Sequence, residues 1–139
     1  MILEVCVDSL ASARAAIAGG IDALGENKVQ EMLGKYAEGA YEGAPLHFIG
    51  HLQRNKVRQV VGVVELIHSV SSLELLEEID KQAAKRGIVQ DILLEVNIGG
   101  EESKSGFTPQ AVYAAAEKAL EYPNVRLRGL MTIPPVEKE

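Results

Sequence analysis

The hydrophobic positions of this sequence form short continuous runs that alternate with longer segments of helical character. The runs predict six β-strands, at residues 2–7, 22–24, 47–49, 65–69, 91–97 and 126–132. The segments between them predict five helices, at residues 10–18, 28–36, 54–62, 72–86 and from residue 108 onwards. Strands that alternate with helices favour a parallel sheet with right-handed crossovers. The predicted fold class is therefore α/β.

Helix start and stop signals support these boundaries. Asp8 or Ser9 is a suitable N-cap for the first helix, and Ser72 is one for the fourth. Gly87 follows the fourth helix, where a left-handed residue commonly ends a helix. Thr108–Pro109 has the preferred order of cap and first-turn proline. The helical segments are thus predicted from local chemistry as well as from hydrophobic spacing.

The number of strands predicts a partial barrel. The 139 residues suit a single α/β domain over residues 1–139, whereas a complete eightfold (β/α) barrel typically needs ~250 residues. We therefore expect a TIM-barrel-like parallel sheet of about six strands with two open edges. Open edges and uncovered apolar faces favour association. We expect the sheet to be completed or capped by self-association, which makes the chain a homo-oligomer.

Composition excludes several classes of partner. The net charge of −6, the low aromatic content and the lack of a basic run argue against nucleic acid binding. No apolar stretch approaches the ~20 residues that span a bilayer, so no membrane partner is expected. A single cysteine, Cys6, gives no disulfide framework, and we expect a cytoplasmic location.

Small and amide-bearing residues follow the predicted strands. Asn27, His51 and Asn97 stand at or shortly after the ends of three of them, and Met131 lies near the end of the last. In parallel α/β proteins the ligand site lies where strands end and loops begin. The set predicts a pocket for a flat polar ligand, although each residue alone could be a turn or cap residue.

Five segments then resemble one known family. GENKVQE, HFIGHLQRNK, IHSVSSLELLEEID, LLEVNIGGEESKSGF and LRGLMTIPP occur in this order over residues 24–135. They are similar to the YggS/PROSC family of pyridoxal phosphate homeostasis proteins, which are relatives of the alanine racemase barrel domain. The resemblance implies a (β/α) barrel with the cofactor at the carboxyl ends of its strands. It also implies that Asn27, His51, Asn97 and Met131 line the cofactor pocket.

The first 23 residues resemble a different family. The phrases LEVCVDS and AGGIDAL are similar to the first unit of the copper-homeostasis CutC family, which is also a (β/α) barrel. This resemblance predicts a chimera, with a CutC-like βα unit at residues 1–23 joined to a pyridoxal phosphate homeostasis-like segment at residues 24–139. An engineered or recombined origin follows as an expectation.

The resemblance also implies that binding groups are lost. The family carries an imine-forming lysine at the end of strand one, and counting back from GEN places that position on Cys6. Strands seven and eight, with the phosphate loops and the partner of the ring nitrogen, would follow the GLM segment beyond Glu139. A thiol cannot replace the amine of a desolvated lysine. We therefore expect no resident cofactor and at most weak binding of pyridoxal phosphate.

Three functional hypotheses remain. The main one is a fragment without catalytic function, and hence not an enzyme. The first alternative is a weak noncovalent pyridoxal phosphate-binding module. An imine trapped on Lys104 or Lys28 would instead indicate a relocated anchor. The second is copper handling, but His47, His51 and His68 lack metal-ligand spacing on one element, and no metal ligand is predicted.

Overall fold

The computed structural model describes residues 4–6, 9–99 and 105–133. Six strands form one sheet in which neighbours along the chain are neighbours in space, and every pairing is parallel. This arrangement confirms the predicted partial barrel-like α/β fold. The strands are β1 (Glu4–Cys6), β2 (Ala23–Glu26), β3 (Leu46–Phe48), β4 (Leu66–Val70), β5 (Gln90–Val96) and β6 (Val125–Thr132).

Five α-helices connect the strands, close to the predicted positions. The cap signals function as the sequence indicates: the Ser9 and Ser72 hydroxyls accept hydrogen bonds from backbone N–H groups of the first turn, at 3.0 and 3.2 Å. Gly87 ends the fourth helix in the left-handed conformation, at φ 65°. The helices are α1 (Leu10–Ala18), α2 (Val29–Ala37), α3 (Val57–Val60), α4 (Leu73–Arg86) and α5 (Ala111–Glu121).

Three predicted boundaries are wrong. Helix α5 begins at Ala111, three residues after the predicted start, although the Thr108 hydroxyl accepts a hydrogen bond from the Ala111 N–H at 3.0 Å. The helix predicted at 54–62 is a 3₁₀ turn, Arg54–Lys56, followed by a single α-helical turn, because Val61 leaves the helix with extended ψ and Gly62 turns the chain at φ 83°. Strand β2 continues to Glu26, two residues past the predicted end. Its last two residues look like a polar turn in the sequence, yet both are buried.

The burial of Glu26 depends on an ion pair with helix α2. The Lys35 Nζ donates to Glu26 Oε1 at 2.7 Å, and both side chains are almost completely buried. Burial raises the pKa of Glu26, against the hydrogen bond and the positive charge of Lys35, which lower it. Burial likewise raises the pKa of the neighbouring Tyr41, whose hydroxyl donates to the Met32 carbonyl oxygen. The pair thus joins the end of β2 to the helix that follows it.

The apolar core lies between the sheet and its helices. Leu24, Phe48 and Ile67 point from the strands into this core, where they join helix residues such as Met32 and Leu76. Side chains alternate between the two faces of a strand. Residues next to these in sequence, such as His47 and His68, therefore lie on the opposite face. We call that opposite face the inner face of the sheet.

The edges of the described sheet are β1 and β6. Leu130, in β6, and Ile133, just after it, are 58% and 66% exposed. These exposed apolar side chains agree with the expectation of self-association, which stays a prediction. Among the described residues, no helix has the length and apolar character needed to cross a membrane.

Candidate functional site

A cavity of about 590 Å³ opens at the carboxyl ends of β2, β3 and β5. It brings together three residues predicted from the sequence: Asn27, His51 and Asn97 each come from the loop after one of these strands. The volume lies within the ~300–1,000 Å³ typical of small-molecule sites. These side chains are distant in sequence but lie close together because parallel strands end at the same edge of the sheet.

The loops after β2 and β3 are held together by a close backbone approach at Gly50. A Cβ atom on Gly50 would lie 1.9 Å from the carbonyl oxygen of Asn27, so no other residue fits there. The backbone N–H of Ile49 also donates to the Glu26 carbonyl oxygen at 2.8 Å. This contact fixes the backbone of Asn27 beside that of His51, and it makes Gly50 a structural requirement of the cavity.

The wall formed by β5 includes a carboxylate that the sequence analysis did not single out. Glu95 is buried, and the hydroxyl of Ser105 donates to its Oε2 at 2.6 Å. The Phe107 N–H donates to the Glu95 carbonyl oxygen and the Asn97 N–H donates to that of Phe107, both at 2.8 Å. Glu95 lies two residues before Asn97, and residues two apart in a strand share one face. This spacing could have identified Glu95 from the sequence.

Cys6 and Met131 line a second cavity of about 430 Å³, which shares Asn27, Ile49 and Ile133 with the first. The side-chain amide of Asn27 donates to Cys6 Sγ at 2.9 Å. A register shift in the β5–β6 pairing places Met131 opposite Glu95. The two adjoining cavities are therefore lined by all five site positions that the sequence analysis named, including Cys6, where the resemblance implies a lysine.

The inner face also holds a cluster that sequence spacing did not predict, formed by Glu4, His47 and His68 of β1, β3 and β4. His47 Nδ1 lies 2.9 Å from Glu4 Oε2, and His68 Nε2 lies 3.2 Å from His47 Nδ1. Burial lowers the pKa of His68; the Glu4 carboxylate acts in the opposite direction and offsets this only in part. One carboxylate and two imidazoles are a donor set that could hold a metal ion.

Lys28, one of the two lysines considered as relocated anchors, does not line either of these cavities. Lys28 is 75% exposed and is 4.0 Å from Glu31 of α2. It lines a third cavity, of about 380 Å³, together with Lys56, and this cavity shares Asn27 and His51 with the first. Lys104 is outside the described residues. Within the described part of the chain, the two adjoining cavities are lined by no lysine.

Comparison with known proteins places this geometry in a family. The model of the alanine racemase N-terminal domain matches residues 6–139, nearly the whole chain. The chain belongs to the alanine racemase N-terminal domain family. Alanine racemases of Clostridium difficile and Streptomyces coelicolor share the fold, with TM-scores of 0.77 and 0.70 at 18% and 24% identity.

More similar relatives in this family are pyridoxal phosphate homeostasis proteins. That of Aquifex aeolicus is 51% identical over 116 residues, which are 84% of this chain and 51% of the relative. That of Pseudomonas aeruginosa is 42% identical over 124 residues, 89% of this chain and 54% of the relative. The chain thus spans about half the length of these curated relatives.

A solved structure that is similar to this chain is described with the cofactor bound. PipY of Synechococcus elongatus, described with pyridoxal phosphate bound, is 33% identical with a TM-score of 0.87. The similarity covers 99% of this chain and 64% of PipY. The expected resemblance to pyridoxal phosphate homeostasis proteins is therefore confirmed.

The expected chimera receives no support from these comparisons. The family match begins at Cys6, and the fold of PipY covers the first βα unit as well as the rest. In the structure, β1 pairs with β2 in the same parallel manner as the other strands, with Glu4 opposite Ala23. The CutC-like sequence of residues 1–23 is thus compatible with an ordinary first βα unit of this family, because different sequences can form the same strand and helix.

Proposed function

We propose that this chain forms a noncovalent binding site for pyridoxal phosphate and serves in the homeostasis of that cofactor. The observation that carries the proposal is the cavity at the strand ends, lined by Asn27, His51 and Asn97. Its support is the similarity to PipY, whose structure is described with pyridoxal phosphate bound. We expected a fragment without catalytic function from the sequence, and the proposal adopts instead the first alternative, a noncovalent pyridoxal phosphate-binding module.

The residues present fit the flat, polar ring of the cofactor without a covalent bond. Asn27 and Asn97 offer amide donors and acceptors, and His51 and Ser105 add a ring nitrogen and a hydroxyl in the same cavity. Pyridoxal phosphate supplies an aldehyde that reacts with amines. At the position where the resemblance places a lysine, this chain has the thiol of Cys6, so hydrogen bonds and shape must hold the cofactor.

The proposed role is binding without turnover. The relatives are named for homeostasis of the cofactor, and we assign no catalytic residue in this chain. A cytoplasmic location is part of the same proposal. Copper handling, our second alternative, loses its basis because the comparisons do not support the CutC-like unit.

Replacing Asn97 by alanine is expected to weaken pyridoxal phosphate binding by about 2-fold to 13-fold, because one hydrogen-bonding group contributes about 0.5–1.5 kcal/mol. Equilibrium dialysis with pyridoxal phosphate measures the change in dissociation constant. Asn124→Ala is the matched control, since Asn124 precedes β6 at the opposite end of the sheet. Equal affinities of the Asn97→Ala variant and the unmodified chain would place the binding site outside this cavity.

A further inference from the structure

Three ligand atoms converge on one point of the inner face. Glu4 Oε2, His47 Nδ1 and His68 Nε2 are separated by 2.9, 3.2 and 3.6 Å. Three different strands contribute these atoms, so the convergence is a property of the folded sheet. His47 Nδ1 faces both other atoms, although one ring nitrogen has only one hydrogen or one lone pair to offer.

The size of this triangle matches the face of a metal coordination tetrahedron. Bonds of ~2.0–2.1 Å from zinc to nitrogen or oxygen, at tetrahedral angles, place neighbouring ligand atoms roughly 3.3–3.4 Å apart. The three observed separations lie on either side of this value. Adjustments of a few tenths of an ångström would bring all three atoms into contact with one ion, with no change in the strands.

Two further observations favour an ion at this place. Glu4 Oε1 is buried and has no hydrogen-bond partner, although buried carboxylate oxygens are normally satisfied. The second observation is that the cluster borders a cavity, because Glu4 and His68 line the cavity that also contains Cys6 and Met131. A bound ion would therefore have one side open to this cavity. Sites with three protein ligands and one open position commonly take a water molecule as the fourth ligand.

We propose that Glu4, His47 and His68 form a binding site for a divalent transition metal ion of the zinc type, beneath the pyridoxal phosphate cavity. The donor set of two imidazoles and one carboxylate is one that zinc accepts. The site is distinct from the groups that line the larger cavity, and its metal affinity does not depend on the proposed function.

Titration of zinc into the 139-residue chain, in competition with a chromophoric chelator, tests this proposal. We expect one zinc ion per chain. The Glu4→Gln and His68→Gln variants should each bind at least about 100-fold more weakly, since loss of an outer-shell partner alone costs ~10–100-fold. Glu4→Gln preserves size and shape, and a circular dichroism spectrum establishes that each variant is folded.

Two control variants test whether a loss of affinity is specific to this site. His51→Gln removes the third histidine of the chain, and Glu31→Gln removes an exposed carboxylate of α2. Both should keep the zinc affinity of the unmodified chain, and cobalt should give the intense visible bands of a four-coordinate site in both. Absence of zinc binding by the unmodified chain, undiminished binding by Glu4→Gln, or loss of binding in either control would overturn the proposal.

Discussion

Replacing Lys35 by methionine is expected to destabilise the folded chain by about 3–5 kcal/mol, because it leaves the Glu26 carboxylate buried without its positive partner. The side chain of Lys35 is only 8% exposed and that of Glu26 is fully buried, so water cannot take the place of the ammonium group. Urea unfolding followed by far-ultraviolet circular dichroism measures the change in the free energy of unfolding.

Lys28→Met is the matched control for this substitution. Lys28 precedes the same helix and pairs with Glu31 at 4.0 Å, but in solvent. Its replacement should change the free energy of unfolding by no more than about 0.5 kcal/mol. A loss of less than about 1 kcal/mol in Lys35→Met would contradict the idea that this ion pair holds α2 against β2.

The effect of Lys35→Met should also depend on pH in a defined direction. Burial raises the pKa of Glu26 above its ordinary value of 4.5, and removing Lys35 removes a contribution that lowers it. A raised pKa in the folded state means that stability falls as the pH rises from that ordinary value through the folded-state pKa. The stability difference between the variant and the unmodified chain should therefore be larger at neutral pH than at or below the ordinary pKa.

Replacing Cys6 by lysine is expected to convert the bound pyridoxal phosphate into a covalently attached form. The Cys6 thiol lies 2.9 Å from the Asn27 amide, inside the cavity shared with Met131. An amine at this position would be the nucleophile that the chain otherwise lacks there. After borohydride treatment and peptide mapping, label at position 6 should rise from none to nearly one equivalent per chain.

Cys6→Met is the control for this gain, because methionine has comparable length and no amine. It should show no borohydride-dependent label at position 6. Equal labelling of the two variants, or label in Cys6→Lys spread over surface lysines such as Lys28, would mean that position 6 does not face the bound cofactor.

The fold could largely be predicted because continuous apolar runs and cap residues determine parallel α/β units locally. The errors occurred where tertiary contacts override local pattern. Gly25 and Glu26 look like a turn, but Lys35 neutralises Glu26 and allows β2 to continue. The helix expected at 54–62 is interrupted because Val61 and Gly62 leave the helical conformation.

The candidate site could be predicted only for residues at the ends of strands. Asn27, His51 and Asn97 could be grouped because parallel strands end at the same edge of a sheet, a rule that needs no coordinates. Glu4, His47 and His68 lie within three strands rather than at their carboxyl ends, and their proximity depends on the register of β1, β3 and β4. No spacing along the chain contains that information.

The most direct test of the central claim is a titration of the unmodified chain with pyridoxal phosphate, followed by borohydride treatment and peptide mapping. We predict saturable binding of one equivalent, removed by dialysis, with no lysine labelled in proportion to occupancy. Absence of saturation would contradict the proposed binding function. Stoichiometric label on a single lysine would contradict its noncovalent character.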